Sequence, residues 1–129
     1  MTGNRWSATA AALYTVWGVL HMGLGVSMVI GDLADGAPGT ESAAESLLYF
    51  LCVTTLGAQA IFVAVTMNRV NSRLGYWLNA VVLGVVDLAF LVLLAAPGYA
   101  DLIGAIVGPV VWLLATACAT VALRHPSTR

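Results

Sequence analysis

The sequence predicts an all-α integral membrane protein, an antiparallel bundle of four transmembrane helices. Two observations lead there. Of the 129 residues, 60% are hydrophobic and only 9% charged, with a mean hydropathy of +0.94, far above an ordinary soluble domain. The apolar residues also fall into four stretches, 8–30, 43–67, 75–96 and 103–123. Each holds about 20 residues, or about 30 Å of helix, which matches the hydrocarbon thickness of a bilayer. Together they fill residues 1–129 as a single transmembrane domain, so any chemistry must sit between helices or at a membrane rim.

The first stretch follows Arg5. Its apolar run exceeds the roughly 7–15 residues of a secretory signal, and it is expected to be a retained helix. The second has a start signal: Ser42-Ala43-Ala44-Glu45 fits a capping box in which Ser42 caps the helix and Glu45 reaches back to its amide. "GDLADGAPGT" before it then reads as an external loop. "NRVNSR" is the turn between the second and third helices, and Pro97-Gly98 separates the third from the fourth. Short turns favour antiparallel neighbours.

A weak internal similarity aligns Gly18-Val19-Leu20-His21-Met22 with Gly84-Val85-Val86-Asp87-Leu88, and Leu47, Leu48, Cys52 and Thr54 with Leu113, Leu114, Cys118 and Thr120. Read as a duplication, it makes the chain two tandem parallel helical-hairpin repeats and sets His21 opposite Asp87.

Charge orients the helices. There is no lysine, and the arginines Arg5, Arg69, Arg73, Arg124 and Arg129 fall at the two termini and in the second loop, which a four-helix chain places on one side. The positive-inside rule makes that side, and both termini, cytoplasmic. Asp32, Asp35, Glu41, Glu45 and Asp101 lie at or beside the opposite loops. Trp6, Tyr76, Trp77 and Tyr99 suit interfacial anchors. The expected location is the inner (plasma) membrane of a bacterial cell, as a multi-pass protein whose first partner is the lipid bilayer. With a net charge of −1 and no basic cluster, nucleic-acid binding has no electrostatic basis. Cys52 and Cys118 stand singly and form no Cys-x-x-Cys pair, which argues for buried inert thiols over a thiol oxidoreductase.

Asp87 is the one formally charged residue deep within an apolar stretch, midway along "LNAVVLGVVDLAFLVLL". A carboxylate there costs about 2.5–3.5 kcal/mol on insertion scales, which makes it a functional-site hypothesis. The other titratable group near the midplane is His21, since His125 lies beyond the fourth stretch. An Asp87–His21 pair facing across the bundle would satisfy both, either as neutral acid with neutral imidazole or as an ion pair. Used only as glue, such a pair returns about 0.6 kcal/mol and at most 1–2, hardly the insertion cost of the acid.

At helical spacing Tyr14, Trp17, Gly18, His21, Gly25 and Met28 share one side of the first helix, a set that fits either a ligand pocket or packing. In the second helix Glu45, Tyr49, Cys52 and Gln59 share an arc, and a buried Gln59 would need partners. Asn79 stands two turns before Asp87. The expected substrate-binding set is Tyr14, Trp17, Met28, Gln59 and Trp112, around catalytic Asp87 and His21.

A second buried histidine for haem is missing, no local spacing marks a metal site, and no phosphate loop, nucleotide fingerprint or Ser-His-Asp order can be read. No metal or cofactor is therefore expected. What remains is cofactor-independent acid–base chemistry on a lipid-soluble, isoprenoid-like small molecule, such as isomerisation, cyclisation or epoxide opening. Four short helices around one embedded acid also resemble the small multidrug transporters, which implies a proton-coupled exporter, although there the acid lies in the first helix and here in the third. A non-catalytic accessory subunit is the third expectation. Four crowded helices leave little interior room, so a homodimer or a pocket open to lipid is anticipated.

Overall fold

The computed structural model describes residues 2–34, 36 and 38–125. Asp35 and Arg129, which bear on the charge sorting, and Pro126 lie outside the described residues. Among the described residues there is no strand. Four helices are long and apolar enough to cross a membrane: α1 (Thr2–Ala34), α2 (Glu41–Asn68), α3 (Arg73–Ala95) and α4 (Leu102–Arg124). α1 and α2 run past the expected 8–30 and 43–67 at both ends.

The start of α2 differs from the capping-box reading. Thr40, in extended geometry (φ −137°, ψ 158°), accepts a hydrogen bond from the Ala43 amide, and the helix begins at Glu41. Ser42 and Glu45 are therefore helical. An earlier cap lengthens the helix and lets the Thr40 carbonyl accept from Ala44, so it wins over a cap at Ser42. Ser72 and Asp101 cap α3 and α4 by accepting from the Gly75 and Gly104 amides. Asn71 turns the chain between α2 and α3 at φ 60°, a left-handed position that asparagine tolerates.

Neither α2 nor α3 is a uniform α-helix. α2 ends in a π-helical turn, Ala64–Asn68. α3 alternates α (Arg73–Trp77), π (Leu78–Leu83), α (Gly84–Phe90) and π (Leu91–Ala95) segments. Each wide turn shifts the phase of the side chains that follow.

α1 packs mainly on α2 and α4. Small residues set the α1–α2 crossing: a Cβ on Gly18 would lie 2.6 Å from the Gly57 carbonyl oxygen, and one on Gly57 would lie 2.7 Å from the Gly18 carbonyl oxygen. The helices touch backbone to backbone there, as small-residue interfaces in membranes do. Ala10, Ala11, Tyr14, Trp17, Ala60, Ala64, Leu83, Ala115 and Ala119 form the core. α3 is pinned through side chains. Asn79 donates to the Ala60 carbonyl (3.3 Å) and to Asn68 Oδ1 (2.9 Å) and accepts from Gln59 (3.4 Å), while Trp112 donates to the Ala80 carbonyl (3.1 Å). Elsewhere the outward faces are apolar, with Ile103, Val70 and Leu93 among the most exposed side chains. Such a surface suits lipid and not water.

Candidate functional site

The pins just described, together with the Tyr14–Thr116, Tyr76–Thr120 and Asn71–Ala122 hydrogen bonds, close one half of the molecule: the end that carries Arg69, Arg73 and Arg124. The other half is hollow. All four helices contribute to a cavity of about 980 Å³, through Leu20, His21 and Leu24 of α1, the first half of α2, the second half of α3 and Gly104, Ala105 and Val107–Pro109 of α4. Its walls are mostly aliphatic and aromatic, including Leu56, Val86, Phe50 and Phe90, and it holds His21, Asp87 and Glu45.

His21 and Asp87 meet at its floor. Asp87 is buried (3% exposed) and projects from the α-helical segment of α3 between the two π stretches. Its Oδ2 accepts a hydrogen bond from the fully buried Trp17 indole at 3.0 Å, and its Oδ1 stands 4.0 Å from His21 Nε2. Trp17 and His21, one helical turn apart on α1, stack with ring centroids 3.6 Å apart and an interplanar angle of 16°. His21 Nδ1 lies 2.9 Å from the Trp17 carbonyl oxygen. A carbonyl only accepts, so Nδ1 carries the hydrogen and the neutral ring presents its lone pair at Nε2. Trp17 thus orients both partners, the acid through its indole N–H and the imidazole through its ring face and backbone.

The two proton-handling atoms are too far apart for a direct hydrogen bond, and Gly108 of α4 keeps the space beside them open. A Cβ built on Gly108 would sit 3.3 Å from both His21 Nε2 and Asp87 Oδ1 and 2.9 Å from His21 Cε1. An atom of a guest molecule at that place would touch acid and base together. The next residue, Pro109, has no N–H to offer the carbonyl of Ala105, so this turn of α4 lacks one helix bond beside the cavity.

The sequence-expected substrate residues are distributed otherwise. Trp17 backs the pair and does not line the cavity; Tyr14 is fully buried against Thr116; Gln59 belongs to the Asn79–Asn68 network; and Trp112 lies over Gly84. Met28 is 40% exposed beyond the cavity wall. Each of the four buried or half-buried residues is turned away by a neighbour that its own helix periodicity does not reveal. Asn79 joins Asn68 and Gln59, not Asp87. Conversely, Glu45 and Tyr49 of the second-helix arc line the cavity with Cys52, which is exposed and free. Glu45 makes no hydrogen bond or ion pair among the described residues. Gly108 and Phe90 carry no sequence signal that separates a wall residue from ordinary packing.

Among the described residues no third His, Cys, Asp or Glu joins the pair in a metal-sized group. No family model, curated protein or solved structure matches this chain.

Proposed function

We propose that the protein is a small membrane enzyme that moves protons on a lipid-soluble, isoprenoid-like molecule by means of Asp87 and His21. It works as an antiparallel four-helix bundle in the plasma membrane, with both termini cytoplasmic. The observation that carries this reading is the placement of the pair: Nε2 and Oδ1 are 4.0 Å apart, beyond hydrogen-bond reach, at the floor of an apolar cavity, beside a glycine that leaves a shared contact point free. Packing glue between α1 and α3 is already supplied by the Trp17–Asp87 hydrogen bond and needs no histidine beside the acid. A reacting pair needs them to face a third.

A double-bond isomerisation shows how the groups would be used. Neutral Asp87 gives its proton to one alkene carbon, and the developing positive charge on the other lies toward Phe90, about one helical turn from Asp87 on the cavity wall. His21 Nε2 removes a proton from the carbon on the far side of the cationic centre, which restores the double bond one position along. The imidazolium then returns its proton to the carboxylate, and the site is reset with no net change. Cyclisation or epoxide opening would use the same acid with a different proton acceptor.

Export by proton coupling receives less support. It asks for a path from the pair to both faces, and the arginine end is filled by Tyr14, Leu83, Asn79 and Asn68, each less than 5% exposed.

The test is deuterium incorporation. Purified protein in lipid nanodiscs, supplied with isoprenoid alkenes and with total lipid extracts in D₂O, should introduce deuterium into a lipid product. Asp87→Asn and His21→Ala, each with an unchanged melting profile, should lower the rate by about 10²-fold or more. Full activity in either variant sinks the proposal.

A further inference from the structure

We infer that the cavity takes a long-chain lipid whose polar end donates hydrogen bonds and carries no negative charge, with that end at Glu45 and the apolar part running down to the His21–Asp87 floor. The placement of the reacting end rests on the proposed reading of that pair; the head-group assignment rests on the cavity itself.

The cavity is polar at its outer rim and apolar along its length. Ser42, Glu45, Ser46 and Tyr49 gather where α2 begins, whereas Leu24, Leu56, Leu93 and Phe90 form the walls below them. Glu45 and Leu56 both line it, eleven residues apart on one helix, so its long axis is about 16 Å at 1.5 Å per residue, the length of roughly a dozen chain carbons. A compact guest would leave most of that length unfilled. An extended one reaches from the rim to Gly108.

Charge then selects the head group. The wall holds two carboxyl groups and one imidazole and no arginine, and the chain has no lysine at all. With the cap of α2 supplied by Thr40, Glu45 has no partner among the described residues. An acceptor in this position recognises an ammonium or a hydroxyl and repels phosphate or carboxylate. A phosphorylated lipid would bring its charge to a rim that holds the Glu45 carboxylate and no basic side chain, with only the Ser42, Ser46 and Tyr49 hydroxyls to answer it, and this disfavours polyprenyl phosphates as the bound species.

The experiment is photolabelling in neutral-lipid nanodiscs with tetradecylamine that carries a diazirine near its chain end, mapped by peptide mass spectrometry. Labels should concentrate on peptides containing Leu20–Leu24, Val86–Phe90 and Gly104–Pro109. Unlabelled tetradecylamine and tetradecanol should compete, and tetradecyl phosphate should compete about tenfold less well or worse. Glu45→Gln, a change at an exposed position, should shrink the gap between amine and phosphate severalfold. Labels scattered over the outward faces, phosphate competing as well as amine, or an unchanged ranking in Glu45→Gln overturns the inference. Labelling needs no turnover. An Asp87→Asn protein that keeps both full deuterium exchange and the labelling pattern therefore removes the proton-transfer reading and leaves the head-group assignment standing.

Discussion

His21 Nε2 and Asp87 Oδ1 stand 4.0 Å apart, each held by Trp17 and neither bonded to the other. Two polar groups in an apolar surround normally close such a gap, because an unmade hydrogen bond costs about 1–3 kcal/mol. Here the acid is fixed by an indole and the imidazole by a ring face and a carbonyl. The rigidity of that mount keeps the gap open, and a guest atom beside Gly108 completes it.

Gly108→Ala should therefore lower turnover without unfolding the protein. The added methyl occupies the point 3.3 Å from both atoms and presses on His21 Cε1 at 2.9 Å, and the stacked ring has little freedom to retreat. We expect at least about a tenfold fall in the exchange rate, the range in which a misplaced reacting group costs up to 10²-fold. Gly31→Ala is the control. It lies outside the cavity wall and a Cβ there meets nothing within 4 Å, so activity should hold. Rates of the two variants measured side by side in nanodiscs decide the matter, and equal rates would remove Gly108 from the site.

Trp17→Phe separates the two services of that residue. Phenylalanine retains a ring face against His21 and the backbone carbonyl that fixes Nδ1, but it has no N–H for Asp87 Oδ2. A hydrogen bond between neutral groups contributes about 0.5–1.5 kcal/mol; because it aims the carboxyl, the rate should fall roughly two- to tenfold. Trp17→Leu, which also removes the stack, should fall further. Kinetics that leave Trp17→Phe at the wild-type rate would assign Trp17 to packing alone.

Several of these relations are legible in the amino-acid sequence. Asp87 and His21 stand out as the two titratable groups deep in apolar stretches, and the Glu45, Tyr49 and Cys52 spacing places them on one arc, which is where the cavity wall lies. The same four letters that put Glu45 on that arc also match a capping box, and only the extended backbone of Thr40 shows that the cap is elsewhere. Tyr14, Gln59 and Trp112 escape the sequence pattern for another reason. Their orientation is set by Thr116, by Asn79 and by the backbone of Ala80, contacts between helices that a 3.6-residue period cannot supply, and the π turns of α3 shift that period twice. Gly108, in a run of small residues, is indistinguishable by letter from a packing glycine.

The α1–α2 crossing yields a stability prediction. A Cβ on Gly57 would meet the Gly18 carbonyl oxygen and the Met22 nitrogen, both at 2.7 Å and both backbone. No rotamer change relieves that, so Gly57→Val should exceed the roughly 1–3 kcal/mol typical of overpacking. Gly23, with nothing within 4 Å of its Cβ position, is the counterpart. Gly23→Ala should be neutral or gain about 0.5–1 kcal/mol from lower chain entropy. Thermal unfolding in a mild detergent reads both, and similar melting temperatures would mean that α1 and α2 do not cross at these glycines.

Asn79→Leu tests whether the closed half of the molecule is structural. Asn79 is completely buried and serves three partners: the Ala60 carbonyl and Asn68 Oδ1 accept from it, and Gln59 donates to it. Leucine of similar volume would leave those groups unanswered. Interhelical hydrogen bonds in membranes average about 0.6 kcal/mol with a maximum near 1.7, while orphaned buried groups cost about 1–3, so a loss of about 1–3 kcal/mol is expected. Because Asn68 loses the same bond, the Asn68→Leu, Asn79→Leu double variant should cost clearly less than the sum of the singles. The network lines no part of the cavity, and the folded fraction of Asn79→Leu should keep its deuterium exchange within about twofold, the scatter of a substitution remote from the chemistry. Additive losses would show that Asn68 and Asn79 do not share a bond, and a collapse of exchange at full stability would move the working site toward the arginine end.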